Sequence, residues 1–238
     1  MFEWMYSPEA WISLATLTGL EIVLGIDNII FIAILCGKLP VQQRAKARVL
    51  GLGLAMITRI LLLLSIVWIM SLTKPLFSVF SQTFSGRDLV LITGGLFLLA
   101  KSTSEIHGDI VGEENKINVK THSFFVTLIQ IAILDIVFSL DSVITAVGMA
   151  EHLPVMILAV VVAVIIMMFA SGVIAKFVDE NPTIKILALS FLILVGVSLI
   201  SDGFKFHIPK GYIYFSMAFS LGVELINIKL RSKTRKAS

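Results

Sequence analysis

Charge is scarce in this chain. Asp, Glu, Lys and Arg make up 15% of its 238 residues, where a soluble domain carries about 25%. Hydrophobic residues reach 57% and the mean hydropathy is +0.97. That balance excludes a water-soluble globule with a large core and leaves a membrane protein. Cysteine is scarcer still: Cys36 stands alone, so no internal disulfide can form. The first eleven residues hold acids but neither Lys nor Arg, so the positive start of a cleaved signal peptide is missing. Basic residues are spread over connecting stretches, and the sequence pI near 9.0 therefore does not point to nucleic acid.

What is present is a series of long apolar runs. A span needs about 20 mostly apolar residues. The sequence predicts seven, at about 10–36, 49–72, 88–104, 122–149, 154–177, 184–201 and 211–228. The expected fold is therefore all-α, a polytopic helical bundle with residues 1–238 forming a single transmembrane domain. Orientation follows from Lys and Arg in the connections. With the N-terminus outside, fourteen basic residues fall inside and four (Lys74, Arg87, Lys205 and Lys210) fall outside. The expectation is N-out and C-in, with the basic tail after Leu230 as a topology anchor at the lipid head groups.

Within these runs one pattern occurs twice. Glu21-Ile22-Val23-Leu24-Gly25-Ile26-Asp27-Asn28 matches Asp135-Ile136-Val137-Phe138-Ser139-Leu140-Asp141-Ser142, and the copies lie 114 residues apart. A carboxylate in the membrane costs at least about 2.5–3.5 kcal/mol, so its default reading is functional. The motifs open spans one and four, and three spans per unit place the second copy upside down. This is the inverted repeat of many transporters, with the site near the midplane. Repeat one is expected at about 10–104, repeat two at about 122–201 and an added helix at about 211–228. Asp27 lies 11 residues before Lys38 and Asp141 lies 10 before Glu151. At about 1.5 Å per residue both fall roughly 15 Å in, from opposite faces. The third spans echo each other too, since Gly95 to Lys101 and Gly196 to Asp202 have equal spacing.

On a regular helix Glu21 and Asn28 share a face, as do Asp135 and Ser142, while Asp27 and Asp141 lie about 120° round. A break near Gly25 or Ser139 would turn the acids and free carbonyls inward, as in transporters with broken helices. The candidate metal residues are Asp27, Asp141, Asn28, Ser142, Glu21 and Asp135. Carboxylate, amide and hydroxyl oxygens suit Mg²⁺, Ca²⁺ and Mn²⁺ rather than copper or zinc. Arg59 is the one base deep enough to pair with an acid, and Asp27 and Glu224 are its candidate partners. Glu105 with His107, and Lys101 and Asp202, are candidate gating or ion-pair residues.

The two acidic motifs, the Glu105-Ile106-His107 step and the stretch from Asp202-Gly203-Phe204 to Pro209-Lys210-Gly211-Tyr212 resemble the TerC family of bacterial integral membrane proteins over almost the whole chain. The resemblance implies a protein related to tellurite resistance and Mn²⁺ efflux, grouped with LysE-type exporters. It also implies that the six motif residues are metal-site positions. Longer members carry a CBS pair and a transporter-associated domain; a chain stopping at Ser238 is expected to be a short form without them. The expected function is an inner-membrane exporter of a divalent cation, most of all Mn²⁺, rather than an enzyme. The cation is its substrate, with no tightly bound cofactor. Partners are that ion and the bilayer, with self-association left open. Two alternatives stand beside it. One is an accessory protein aiding membrane insertion or metalation. The other is an intramembrane aspartyl protease, against which the lack of Gly-x-Gly-Asp around either aspartate counts.

Overall fold

The computed structural model describes residues 7–65, 70, 72–79, 82–111, 123–149 and 153–237; side chains at 79, 141, 142, 144–149 and 232–237 fall outside the description. Backbone groups inside a bilayer must bond to one another, and apolar runs of this length do so as helices. The described residues form α1 (Pro8–Gly37), α2 (Val41–Leu64), α3 (Gly86–Val111), α4 (Phe124–Met149), α5 (Leu153–Glu180), α6 (Pro182–Gly203) and α7 (Lys210–Ala237). Six are long and apolar enough to cross a membrane, and α4 has a shorter apolar stretch over Phe124–Leu140. The chain is thus an all-α polytopic bundle. At the start of α1 the Ser7 hydroxyl accepts from the Ala10 N–H at 3.3 Å and Pro8 fills a first-turn position whose N–H would lack a partner.

The second span is displaced from its expected range of 49–72: the helix begins at Val41 and ends at Leu64. Arg44, Lys46 and Arg48 ride on its first turns, because long basic side chains lay their stems along a helix and keep their heads in water. Beyond it lies an element the all-α reading did not contain, an antiparallel hairpin of β1 (Pro75–Val79) and β2 (Gln82–Ser85). Phe77 stacks on Phe84 with ring centroids 5.6 Å apart, and Phe84 meets Phe204 edge-on at 5.9 Å, which anchors the hairpin against the end of α6.

The most extensive helix pairings are α3 with α6, α1 with α5 and α2 with α4. Small residues permit the closest of them. A Cβ on Gly95 would fall 2.6 Å from the Gly196 carbonyl oxygen, and one on Gly196 would fall 3.0 Å from the Gly95 carbonyl oxygen. The α3–α6 crossing is therefore a reciprocal backbone contact, as small residues allow in membranes. Phe31, Leu52, Leu63, Leu98, Leu134 and Leu189 are fully buried between these pairs. No residue in the apolar stretch of α7 is buried; it lies against α6 at the margin, with the half-buried Ile228 packed on the core.

Candidate cation site

Neither acidic motif breaks its helix: α1 is continuous through Gly25 and α4 through Ser139. The expected unwinding is corrected by what these small residues do. A Cβ at Gly25 would lie 2.5 Å from the Met167 sulfur, so the glycine lets α5 approach. Ser139 is fully buried. A regular helix therefore sorts the acids by face.

The face bearing Glu21 and Asn28 meets Asp135 and Arg59. Arg59 donates Nη1 to Glu21 Oε2, Nε to Asp135 Oδ1 at 3.1 Å and Nη2 to the same oxygen at 2.9 Å. Asn28 Nδ2 donates to Asp135 Oδ1 at 2.8 Å, and Thr58 Oγ1 lies 2.9 Å from Asp135 Oδ2. Glu21, Asn28, Arg59 and Asp135 are all buried. The sequence reading is corrected here: Arg59 pairs with Glu21 and Asp135, not with Asp27 or Glu224. Glu224 lies on α7, where Asn227 at 3.3 Å and Thr183 hydrogen-bond it. Two carboxylates and one guanidinium leave the network one negative charge, and a group so buried needs every partner it has.

Asp27 stands apart. Next to Asn28 in sequence, it projects from another face of α1, is 7% exposed, and makes no hydrogen bond or ion pair with another described residue. It borders a cavity of about 40 Å³ lined also by Phe138, Ser198, Leu199, Lys210 and Tyr214, which brings α1, α4, α6 and α7 together. Asp141 and Ser142 sit on α4 one to two turns beyond Asp135, and their side chains lie outside the described residues. Among the described residues no three of His, Cys, Asp and Glu gather closely enough to hold a metal.

The gating candidates belong to the helix ends. Glu105 is buried and receives both Lys38 and Lys101, the latter at 2.8 Å, while His107 faces outward. Lys185–Asp109 at 2.7 Å and Arg44–Asp179 at 3.6 Å join the same end. Asp202 holds His207 at 3.0 Å at the opposite end. Two features had no counterpart in the sequence reading. Ser85 and Asp88 cap α3 reciprocally, with Lys205 closing on Asp88; a Ser three residues before an Asp was the available signal. Ser198 and Thr58 carried no signal beyond being polar within apolar runs.

A multi-pass bundle of apolar helices that buries one base among acids from two facing motifs is the framework of a polytopic integral membrane protein. Residues 6–238 match the model of the Integral membrane protein TerC family, and the chain belongs to that family. It is 64% identical over 233 residues to the UPF0053 protein of Haemophilus influenzae, covering 97% of this chain and 98% of that one. It is 56% identical to the UPF0053 inner membrane protein YgdQ of Escherichia coli, covering 98% of each. Identity to the E. coli UPF0053 inner membrane protein YoaE is 53% over 94% of this chain but 44% of YoaE. No solved structure matches. The protein is a multi-pass inner-membrane protein.

Proposed function

We propose that this protein exports a divalent cation, Mn²⁺ above all, across the inner membrane. The observation that carries the reading is Asp27, a carboxylate buried in an apolar bundle, without a described partner, beside a cavity. An isolated buried carboxylate is costly, and a passing cation offsets that cost at the stage where it matters. The available donors are oxygens, which favour Mn²⁺, Mg²⁺ and Ca²⁺ over softer metals; the family resemblance selects Mn²⁺ and efflux.

Residues 10–104 and 122–201 are read as inverted repeats with α7 added. Support comes from packing that survives exchange of the halves: α1 lies on α5 as α4 lies on α2, and α3 and α6 meet glycine to glycine. Glu21 and Asp135, equivalent in the two motifs, meet at one Arg59. In this reading Asp141 is the counterpart of Asp27, and the two carboxylates balance the dication. Glu21 and Asp135, held by Arg59, tune the charge beside the path rather than ligate. The basic bias gives N-out and C-in.

The test compares cells with and without the protein, measuring metal content and sensitivity across Mn²⁺, Ca²⁺, Zn²⁺ and tellurite. Lower Mn²⁺ content and higher Mn²⁺ tolerance with the protein present support export. Equal Mn²⁺ content and tolerance contradict it.

A further inference from the structure

Two cavities adjoin end to end along one seam of the bundle. The first is a groove of about 320 Å³ between α1, α5, α6 and α7, walled by Ile26, Ile30, Ala188, Phe191, Met217 and Leu221 among others, with hardly a polar atom. The second, of about 400 Å³, lies where α1 ends and α2 begins and is walled by Lys38, Arg44, Asp109, Asp179 and Lys185. On α1, Val23, Ile26 and Ile30 line the groove while Ile34 and Gly37 line the second cavity. These steps of three and four residues keep to a single helix face. On α5 the change falls between Val178 and Asp179, and on α6 between Ile184 and Lys185. The seam is therefore amphipathic along its length, a charged mouth leading to an apolar slot.

The groove opens to the bilayer. No residue in the apolar stretch of α7 is buried, and Val23 and Ile26 on the facing wall are 44% and 40% exposed. Acyl chains are the apolar medium at this depth, and close packing favours filling such a gap with one. The mouth sets three bases against two acids in its walls. Lys185 is held by Asp109 at 2.7 Å, and Lys38 by Glu105, which Lys101 also holds. Arg44 is placed differently. Its Nε donates to the Leu39 carbonyl at 2.9 Å, while Nη1 stays 3.6 Å from Asp179, too far for a hydrogen bond. A guanidinium fixed in this way offers its terminal nitrogens to an oxyanion, and its fork matches a phosphate.

We propose that this seam binds one anionic phospholipid of the inner leaflet, with its phosphate at Arg44 and an acyl chain in the groove beneath α7. The mouth's one excess positive charge matches the one negative charge of a phosphodiester. The chain fills the space that α7 leaves against α1, so the lipid packs α7 onto the bundle. The leaflet follows from the N-out, C-in orientation. The site is independent of the ion that the protein carries.

The experiment uses purified full-length protein, delipidated in detergent. It is titrated with phosphatidylglycerol or with phosphatidylcholine of the same acyl chains, and bound lipid is counted by native mass spectrometry. Wild type is expected to hold one phosphatidylglycerol about tenfold more tightly than phosphatidylcholine. Arg44→Gln is expected to remove that preference and leave weak binding of both. Ala218→Trp fills the groove from the exposed side of α7 and is expected to abolish one-to-one binding of either lipid. Lys74→Gln, beside the hairpin at the opposite end, is expected to keep wild-type affinities. Equal affinity of wild type for the two lipids overturns the proposal, as does a preference that survives in Arg44→Gln. One-to-one binding undiminished in folded Ala218→Trp overturns it too. A loss in Lys74→Gln equal to that in Arg44→Gln shows general charge attraction and contradicts a built site. A second protein chain taking the place of the lipid contradicts it as well. If Ala218→Trp fails to fold, Arg44→Gln decides alone.

Discussion

Arg59 and Asp135, 76 residues apart in the chain, are joined twice through one oxygen: Nε lies 3.1 Å and Nη2 2.9 Å from Asp135 Oδ1. The same guanidinium reaches Glu21, so a single base on α2 ties α1 to α4 at equivalent positions of the two motifs. Asn28 completes the bond set on Asp135, and Asp27, one residue earlier, is left facing a cavity instead. Three of the acids therefore divide by helix face: Glu21 and Asp135 share the Arg59 guanidinium, and Asp27 lines a cavity.

Replacing Arg59 by Gln is expected to strand two buried carboxylates. Breaking a buried pair from one side costs about 3–5 kcal/mol, enough to cut the yield of folded protein sharply. Adding Asp135→Asn to Arg59→Gln is expected to restore part of that yield, and adding Glu224→Gln is expected to restore none. Yield and monodispersity after detergent extraction provide the measurement. Full yield of the single variant would show that Arg59 is dispensable to the network.

The α3–α6 contact is expected to reject any side chain. Gly95→Ala puts a Cβ 2.6 Å from a backbone oxygen, where overpacking typically costs about 1–3 kcal/mol. Gly19 and Gly172 have nothing within 4 Å of an added Cβ. Alanine there is expected to be neutral or to stabilise by up to about 1 kcal/mol through helix propensity. Thermal unfolding in detergent separates the two classes, and equal midpoints for Gly95→Ala and Gly172→Ala would contradict the close contact.

The parts of this arrangement that repeat along a helix were legible in the sequence. Seven-residue spacing put Glu21 and Asn28 on one face, and both reach the Arg59–Asp135 network. The same periodicity separated Asp27 from them. The helix break was inferred from small residues whose physical role is close approach, Gly25 to Met167 being the clearest case. Arg59's partners were missed because counting residues gives depth along a helix but not the rotation at which helices meet. Asp27 matched in depth, while Glu21 and Asp135 matched in direction. The hairpin at 75–85 escaped because the apolar run before it continued past the true end of α2.

Orientation is expected to be N-out and C-in. A cytoplasmic reporter fused after Ser238 is expected to be active and an external one silent, with the reverse at Gln82 in the hairpin. Cytoplasmic activity at Gln82 would remove the inverted relation between the two motifs.

The most direct measurement is Mn²⁺ efflux from proteoliposomes holding wild type, Asp27→Asn, Asp141→Asn or the double variant. Asn keeps the size of Asp and is cheaper to bury, so each protein is expected to fold in normal yield. Each single variant is expected to fall to the rate of protein-free vesicles, with the double variant no worse, because two carboxylates sharing one dication fail together. Wild-type efflux from well-folded Asp27→Asn or Asp141→Asn protein would contradict a shared cation site.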